Sequence, residues 1–212
     1  MSHAIRPAAR GFTLIELLIV ISILGVLAAV LLPQVLGVNE AANIAATEAN
    51  LGMLEGGVQR FQRKHGIYPP DDLKAPEGIA KATWKGDNGV NTGIESLVCF
   101  LSQSQQDGLD LTGLAERFAN TDGDDHGVEL PLLKRRDRPE ITDHWQTPLA
   151  YFGKFGMERA QVVKPDAEAD TVQVKAKRRA DGVAYGAGKF QLLSAGPDQK
   201  FGTDDDIHWP AN

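Results

Sequence analysis

Hydrophobic and polar positions divide the chain into three stretches. From Leu14 to Leu32 it is apolar on every side of a helix, with Glu16 and Ser22 as the polar exceptions. At 1.5 Å per residue this run extends roughly 29 Å, about one hydrocarbon thickness. Beyond Pro33 the pattern narrows to one stripe, Ile44, Thr47, Leu51, Leu54, Val58 and Phe61, spaced by three and four. Asn43, Glu48, Asn50, Glu55, Gln59 and Gln62 are assigned to the opposite side. The pattern predicts one helix from Phe12 to about Lys64, with a weak point at Pro33 and Gly37 and a stop at Gly66, ahead of Pro69-Pro70. In the third stretch, residues 71–93 read as loop, 94–102 and 109–119 as short helices, 120–127 as an acidic turn and 130–142 as polar and aperiodic. Residues 149–152, 172–177 and 190–193 read as strands. The expected fold is α+β: a long N-terminal helix, membrane-spanning and then amphipathic, packed on a small antiparallel sheet, with an insertion between them.

Charge placement sets an expected topology. Arg6 and Arg10 precede the apolar run, and no Lys or Arg follows until Arg60. The positive-inside bias holds residues 1–11 in the cytoplasm and sends the C-terminal part outward. An ordinary secretory signal would end in a small-x-small cleavage site. The run instead ends Ala28-Ala29-Val30-Leu31-Leu32-Pro33-Gln34, with large residues where small ones are needed. A plain signal anchor fits the length but leaves Glu16 unexplained. An acid in such a span costs about 2.5–3.5 kcal/mol at mid-bilayer, less near an end, and calls for a partner. The segment offers no cation. A cut between Gly11 and Phe12 would create one, the new α-amine, and a neighbouring subunit's amine could reach Glu16.

Gly11-Phe12-Thr13-Leu14-Ile15-Glu16-Leu17 resembles the processing site of type IV pilins and of pseudopilins, their secretion-system relatives. The resemblance implies that a prepilin peptidase cuts after Gly11 and methylates the new amino terminus of Phe12, and that Glu16 registers neighbouring subunits. Two further segments are similar to the major pseudopilin of type II secretion, pseudopilin G: the Gly66-Ile67-Tyr68-Pro69 turn and Asp143-His144-Trp145-Gln146-Thr147-Pro148-Leu149. Gln146 departs from the family's usual glycine, and residues 71–142 are longer than the family has. The implied organisation is a prepilin leader at 1–11, a transmembrane helix at 12–35, its amphipathic continuation at 36–65, a loop-rich variable insertion at 66–142, and an antiparallel sheet with an acidic C-terminal loop at 143–212. The implied partners are other copies of the chain in a filament, the prepilin peptidase, an inner-membrane platform and minor pseudopilins. The implied location is the bacterial inner membrane, crossed once, with the C-terminal domain and the assembled filament in the periplasm.

Composition adds exclusions. The chain has 212 residues and a formal net charge of -6, which disfavours nucleic acid as a main partner. Its basic runs, Lys134-Arg135-Arg136 with Arg138, and Lys175 with Lys177-Arg178-Arg179, read as solvated faces or a docking patch. The single cysteine, Cys99, forbids an intrachain disulfide and reads as a buried structural thiol. An enzyme is not expected: the histidines beyond the leader form no metal pair, and no Gly-x-Ser-x-Gly is present. Tyr185-Gly186-Ala187-Gly188-Lys189-Phe190 fails as a phosphate loop, with Val183 at the first glycine and Phe190 after the lysine.

The C-terminal loop concentrates Asp198, Asp204, Asp205 and Asp206 among turn-forming Gly196, Pro197 and Gly202. Clustered carboxylates and free carbonyls suit a hard cation, and calcium takes 6–8 oxygens at loose geometry. The loop is similar to the calcium loop of the major pseudopilin. The resemblance implies Asp198 and Asp206 as side-chain ligands, then Asp204 or Asp205, with Phe201 and Thr203 as backbone candidates. The shorter acidic turn Asp122-Gly123-Asp124-Asp125 is a weaker metal candidate, and a solvated loop is the alternative for both. Three functions remain open: a type II secretion pseudopilus subunit; a type IV pilus or minor pilin subunit for adhesion, motility or DNA uptake; and a membrane-tethered calcium-binding domain that does not polymerise.

Overall fold

A Thr-Leu-Ile-Glu start and a His-Gly end bracket the first helix, α1, Leu14–His65. Its last turn carries Arg63, Lys64 and His65 against the negative end of the helix dipole, and Gly66 follows at φ 76°. The computed structural model describes residues 12–74, 87–103 and 113–210, with the side chains of 30–38 and 125–128 outside that description. The leader and Gly11 therefore lie outside the described residues. The chain divides into two units, Met1–Ala42 and Asn43–Asn212.

In the first unit the helical backbone continues through Pro33 and Gly37, the expected weak point. Proline removes a single ladder bond, and the residues around it keep theirs. Every residue from Phe12 to Ala29 is exposed.

In the second unit the stripe on α1 is the spine of the core. Thr47, Leu51, Leu54, Val58 and Phe61 are buried. Asn50, assigned from sequence to the polar side, is buried too. It stands three residues after Thr47 and four before Leu54, which places it on the same face. Against this stripe packs α2, Thr92–Leu101, buried from Gly93 to Leu101, with Phe61 meeting Phe100 edge-on at 5.7 Å. The sheet beneath consists of β5 (Ala150–Phe152), β8 (Gln191–Ser194) and β9 (Ile207–Trp209), antiparallel in the order β5-β8-β9. Strand alternation divides its faces. Tyr151 and Leu192 join the helical core, while Ala150, Phe152 and Leu193 join a smaller cluster with Val163 and Val174. Those two valines belong to a hairpin of β6 (Gln161–Val163) and β7 (Val172–Val174). Two polar contacts fasten the core edges: Tyr151 Oη donates to the Pro69 carbonyl at 2.7 Å, and Trp209 Nε1 to Glu55 at 2.6 Å.

The expected α+β class with a small antiparallel sheet is what the chain adopts, but the segment before the sheet differs from the loop-rich expectation. The helix expected at 94–102 is α2. Of the helix expected at 109–119, residues 109–112 lie outside the described residues, and the rest forms a single 3-10 turn, Ala115–Arg117, and the strand β1, Phe118–Ala119. The polar stretch at 130–142 supplies strands instead of loop. β1 pairs with β4 (Glu140–Ile141), and β2 (Asp125–Leu130) pairs with β3 (Arg135–Asp137). β1, β3 and β4 are two or three residues long, too short for periodicity to reveal, and the pairing of β2 carries a register shift. Since α2 is buried from Gly93 to Leu101, residues 71–142 contribute part of the domain core. Arg138, placed from sequence in a solvated basic run, is also fully buried. It forms an ion pair with Asp124 at 3.8 Å and donates to the Cys99 sulfur at 3.6 Å. Cys99 is buried as expected, and burial pushes its thiol up to about 12.

The turn before the sheet explains a departure seen in the sequence. Asp143 Oδ1 accepts from the backbone N–H groups of Trp145 and Thr147 at 2.9 and 3.0 Å, and Oδ2 accepts from Ser194 Oγ at 2.7 Å. Between them Gln146 sits at φ 68°, in the left-handed region. This is the position where the resembling family has glycine, the residue that adopts that region without strain. A side chain there costs about 1–2 kcal/mol, and glycine's extra unfolded-state entropy returns about half of that. Gln146→Gly should therefore stabilise the full chain in detergent by about 0.5–1 kcal/mol in urea unfolding. An unchanged or lowered midpoint would contradict the strain at this position.

Candidate functional site

Thr13 and Glu16 are three residues apart at the start of α1, so their side chains face each other across the first turn. Glu16 Oε2 accepts from the Thr13 backbone N–H at 2.9 Å and from Thr13 Oγ1 at 2.6 Å. Thr13 Oγ1 in turn accepts from the Glu16 N–H at 3.3 Å. This is a reciprocal capping box, which satisfies otherwise orphaned donors at a helix N-terminus. Sequence reasoning left Glu16 without a partner inside its own chain. The Thr-x-x-Glu spacing of Thr13 and Glu16 is the sequence signal of this cap. Both bonds fall on a single carboxylate oxygen, so the cap and an intermolecular cation are compatible.

Around this cap the surface is apolar. Phe12 and Leu14 are each 82% exposed, and Leu17, Ile21, Leu24 and Leu27 are exposed farther along. No helix among the described residues is long and apolar enough to cross a membrane. The stretch with described side chains stops at Ala29, about 24 Å along the helix from Leu14.

The C-terminal loop lies between β8 and β9. Gly196 has φ 69° and stands against the Asp205 carbonyl, where a Cβ would collide. Asp205 is engaged by the loop: Oδ2 accepts from the Asp198 N–H at 3.0 Å and Oδ1 from Thr203 Oγ1 at 2.5 Å. Asp198 Oδ1 accepts from the Lys200 N–H at 2.8 Å, and Asp206 Oδ2 from the Gly202 N–H at 2.9 Å. Asp204 is exposed and Phe201 half-buried. Asp206 differs from the others. It is buried, and its Oδ1 has no hydrogen-bond partner. Burial raises its carboxyl above the ordinary range, opposed by the Gly202 bond and the nearby Lys177 ammonium. Lys177 Nζ donates to the Asp206 carbonyl at 3.0 Å, which places a positive charge at the loop's edge. Among the described residues, the acidic groups whose oxygens converge lie elsewhere: Asp87, Glu95 and Asp124, and Glu95, Asp122 and Glu140.

Residues 6–32 match the model of the prokaryotic N-terminal methylation motif. The type IV major pilin protein PilE of Neisseria gonorrhoeae is 32% identical over 117 residues, covering 47% of this chain and 70% of the pilin. The chain belongs to the type IV pilin-like family. The type II secretion system core protein G of Escherichia coli K12 is 26% identical over 198 residues, 93% of this chain and 88% of that protein. The core protein G of Klebsiella pneumoniae is 40% identical over 60 residues, but the chain spans only 43% of its length. No solved structure matches the chain.

In this pilin-like protein the capping box is open to direct test. Thr13→Ala removes the hydroxyl half of the cap and should cost about 1 kcal/mol locally. In detergent-solubilised chain, the backbone amides of the first turn of α1 should then exchange about fivefold faster by hydrogen-exchange mass spectrometry. Unaltered exchange would mean that the carboxylate alone holds the turn.

Proposed function

We propose that the chain is a structural subunit of a pilus-like filament, the pseudopilus of a type II protein secretion system. The observation that carries this reading is the N-terminal junction: a methylation motif running straight into a helix whose apolar side chains are exposed from Phe12 onward. A contiguous apolar surface of that size is stable in lipid or against other helices. The subunit would wait in the inner membrane as a single-pass anchor, with residues 1–11 in the cytoplasm and the C-terminal domain in the periplasm. A prepilin peptidase would cut after Gly11 and methylate Phe12. Glu16, held at the mouth of the helix by Thr13, would receive the amine of a neighbouring subunit and set the register between them. Apolar helices leaving the bilayer would bundle in the filament core, with platform and minor pseudopilin partners guiding growth. The role is mechanical and not enzymatic.

The loop between β8 and β9 supports a calcium site in this reading. The buried, unpartnered Oδ1 of Asp206 is an oxygen waiting for a cation, and Asp198 lies across the same turn. Asp206 and Asp198 would hold the ion, with Asp204 and the carbonyls of Phe201 and Thr203 as further oxygens. Asp205 is already committed to the turn. Calcium would neutralise the aspartates and tie the β8–β9 connection together. The match to a gonococcal pilin favours a second reading, a type IV pilus subunit.

Glu16→Ala separates assembly from anchoring. The variant should be made, processed and inserted into the membrane, yet fail to form filaments in electron micrographs. Loss of exported protein in the culture medium, with no loss of surface pili, supports the secretion system. The converse supports the pilus. Filaments at wild-type abundance would remove Glu16 from assembly. For the loop, calcium should raise the melting temperature of the full chain in detergent, and Asp206→Asn should abolish that part of the gain. An Asp206→Asn variant that responds to calcium as the wild type does would exclude the loop as a calcium site.

A further inference from the structure

Three segments that are separate in sequence bring carboxylates together beside α2. Glu95 sits in the first turn of α2, Asp122 and Asp124 on the turn before β2, and Glu140 at the start of β4, with Asp87 at the approach to α2. Asn91, at φ 54° just before the helix, clamps the segments. Its Nδ2 donates to Glu140 Oε1 at 2.7 Å and Thr121 Oγ1 at 2.9 Å, while its Oδ1 accepts from the Lys164 N–H at 2.9 Å. Gly123 at φ 77° and the Asn120 side chain shape the acidic turn, Asn120 Oδ1 accepting from the Gly123 N–H at 2.7 Å.

The acids fall into two triads that share Glu95, and within each the ligand oxygens lie within 4.8 Å of one another. Two oxygens that bind one calcium at 2.3–2.6 Å can be no farther apart than about 5 Å. Glu95 is 0% exposed and neither of its oxygens has a hydrogen-bond partner. Asp124 is 7% exposed, and its two oxygens likewise accept no hydrogen bond, with Arg138 Nε at 3.8 Å as an ion-pair contact. Buried carboxylates in native domains are paired or coordinate a metal. Glu140, by contrast, accepts from Asn91, from the Thr121 N–H and from Thr121 Oγ1. Asp122 is half-buried and Asp87 exposed, which leaves an open side to solvent.

We propose that Glu95, Asp122, Asp124, Glu140 and Asp87 form a second divalent-cation site, selective for calcium, that clamps α2 to the turn before β2 and to β4. The donors are all oxygens, which suits a hard cation and not zinc or copper. Several carboxylates at loose spacing favour calcium over magnesium, which keeps its waters and seldom takes an all-protein cage. Cys99 is not a competing soft ligand, because it belongs to neither converging triad. Without an ion, burial and the neighbouring acids push Glu95 up to about 11 and Asp124 up to about 7. A bound cation supplies the countercharge that lets both ionise. This site is independent of the filament reading and of the β8–β9 loop.

The test uses full-length chain in detergent, stripped with chelator and titrated with calcium alone. Stoichiometry is read by equilibrium dialysis in the wild type, Glu95→Gln, Asp124→Asn and Asp206→Asn. Glu95→Gln and Asp124→Asn should each lose one calcium equivalent, whether or not Asp206→Asn is also present. With calcium at about 100 times Kd, the site should raise the wild-type melting temperature by about 5–10 °C, a gain absent in Glu95→Gln. In chelator, Glu95→Gln should melt at or above the wild type, since the amide keeps the shape and removes the buried acid. Equal calcium equivalents in wild type and both cluster variants would overturn the proposal. So would a wild type that binds calcium only through Asp206, which would leave Glu95 as a permanently protonated buried acid.

Discussion

The structure depends on one constraint: an apolar helical surface that stays exposed among the described residues. Leu14, Leu17, Leu18, Ile21, Leu24 and Leu27 are all more than half exposed. Full burial of such a side chain is worth about 1.5–3 kcal/mol, so the six together are comparable in size to the 5–15 kcal/mol that holds a domain folded. A surface of that kind is tolerated only in lipid or against other helices. The capping box follows from the same constraint. A helix start amid exposed apolar side chains has few polar partners for its first N–H groups, and Thr13 with Glu16 satisfies two of them from within the chain.

The same helix serves a different solvent in its second half. From Thr47 to Phe61 the stripe belongs to a domain core, and the face opposite it is polar. One element thus carries an exposed apolar surface in its first half and the spine of an α+β core in its second. Glu55 at the rim of the stripe holds Trp209 of the last strand, so the chain's C-terminal strand is fastened to its N-terminal helix. That contact spans 154 positions of sequence and closes the core of the second unit.

What could be read from sequence was what repeats along one element. The 3.6-residue stripe on α1 and the Gly-x-Tyr-Pro turn are local patterns that occur where they are read, whereas the strand read at 172–177 shortens to Val172–Val174, with Val172 exposed and Val174 buried. Contacts between elements were not legible. Arg138 looked like one of several surface cations, because nothing near it in sequence shows that Asp124 and Cys99 enclose it. Asn50 was misplaced for a smaller reason, polarity being taken as exposure where spacing to Thr47 and Leu54 decides the face. Gln146 was visible as a departure from a family pattern, but its left-handed backbone, the physical reason for the glycine, appeared only in the folded turn.

The acidic residues show the same division most sharply. Sequence density pointed to the C-terminal loop, where four aspartates stand within nine residues. In the fold much of that density is spent on turns: Asp205 caps Asp198 and Thr203, and one Asp206 oxygen caps Gly202. Glu95 stands with Ser96 in an otherwise apolar stretch, beside Ile94, Leu97 and Val98, and nothing local marks it as a ligand. It is fully buried and common to both converging triads. Carboxylates close in sequence can each be satisfied by a neighbouring backbone N–H, which is why Asp is a turn residue. Glu95 and Asp124, which meet only through tertiary packing, accept no hydrogen bond. Their mutual repulsion must be met by protonation or by a cation, and so spatial convergence under burial is the stronger mark of a metal site.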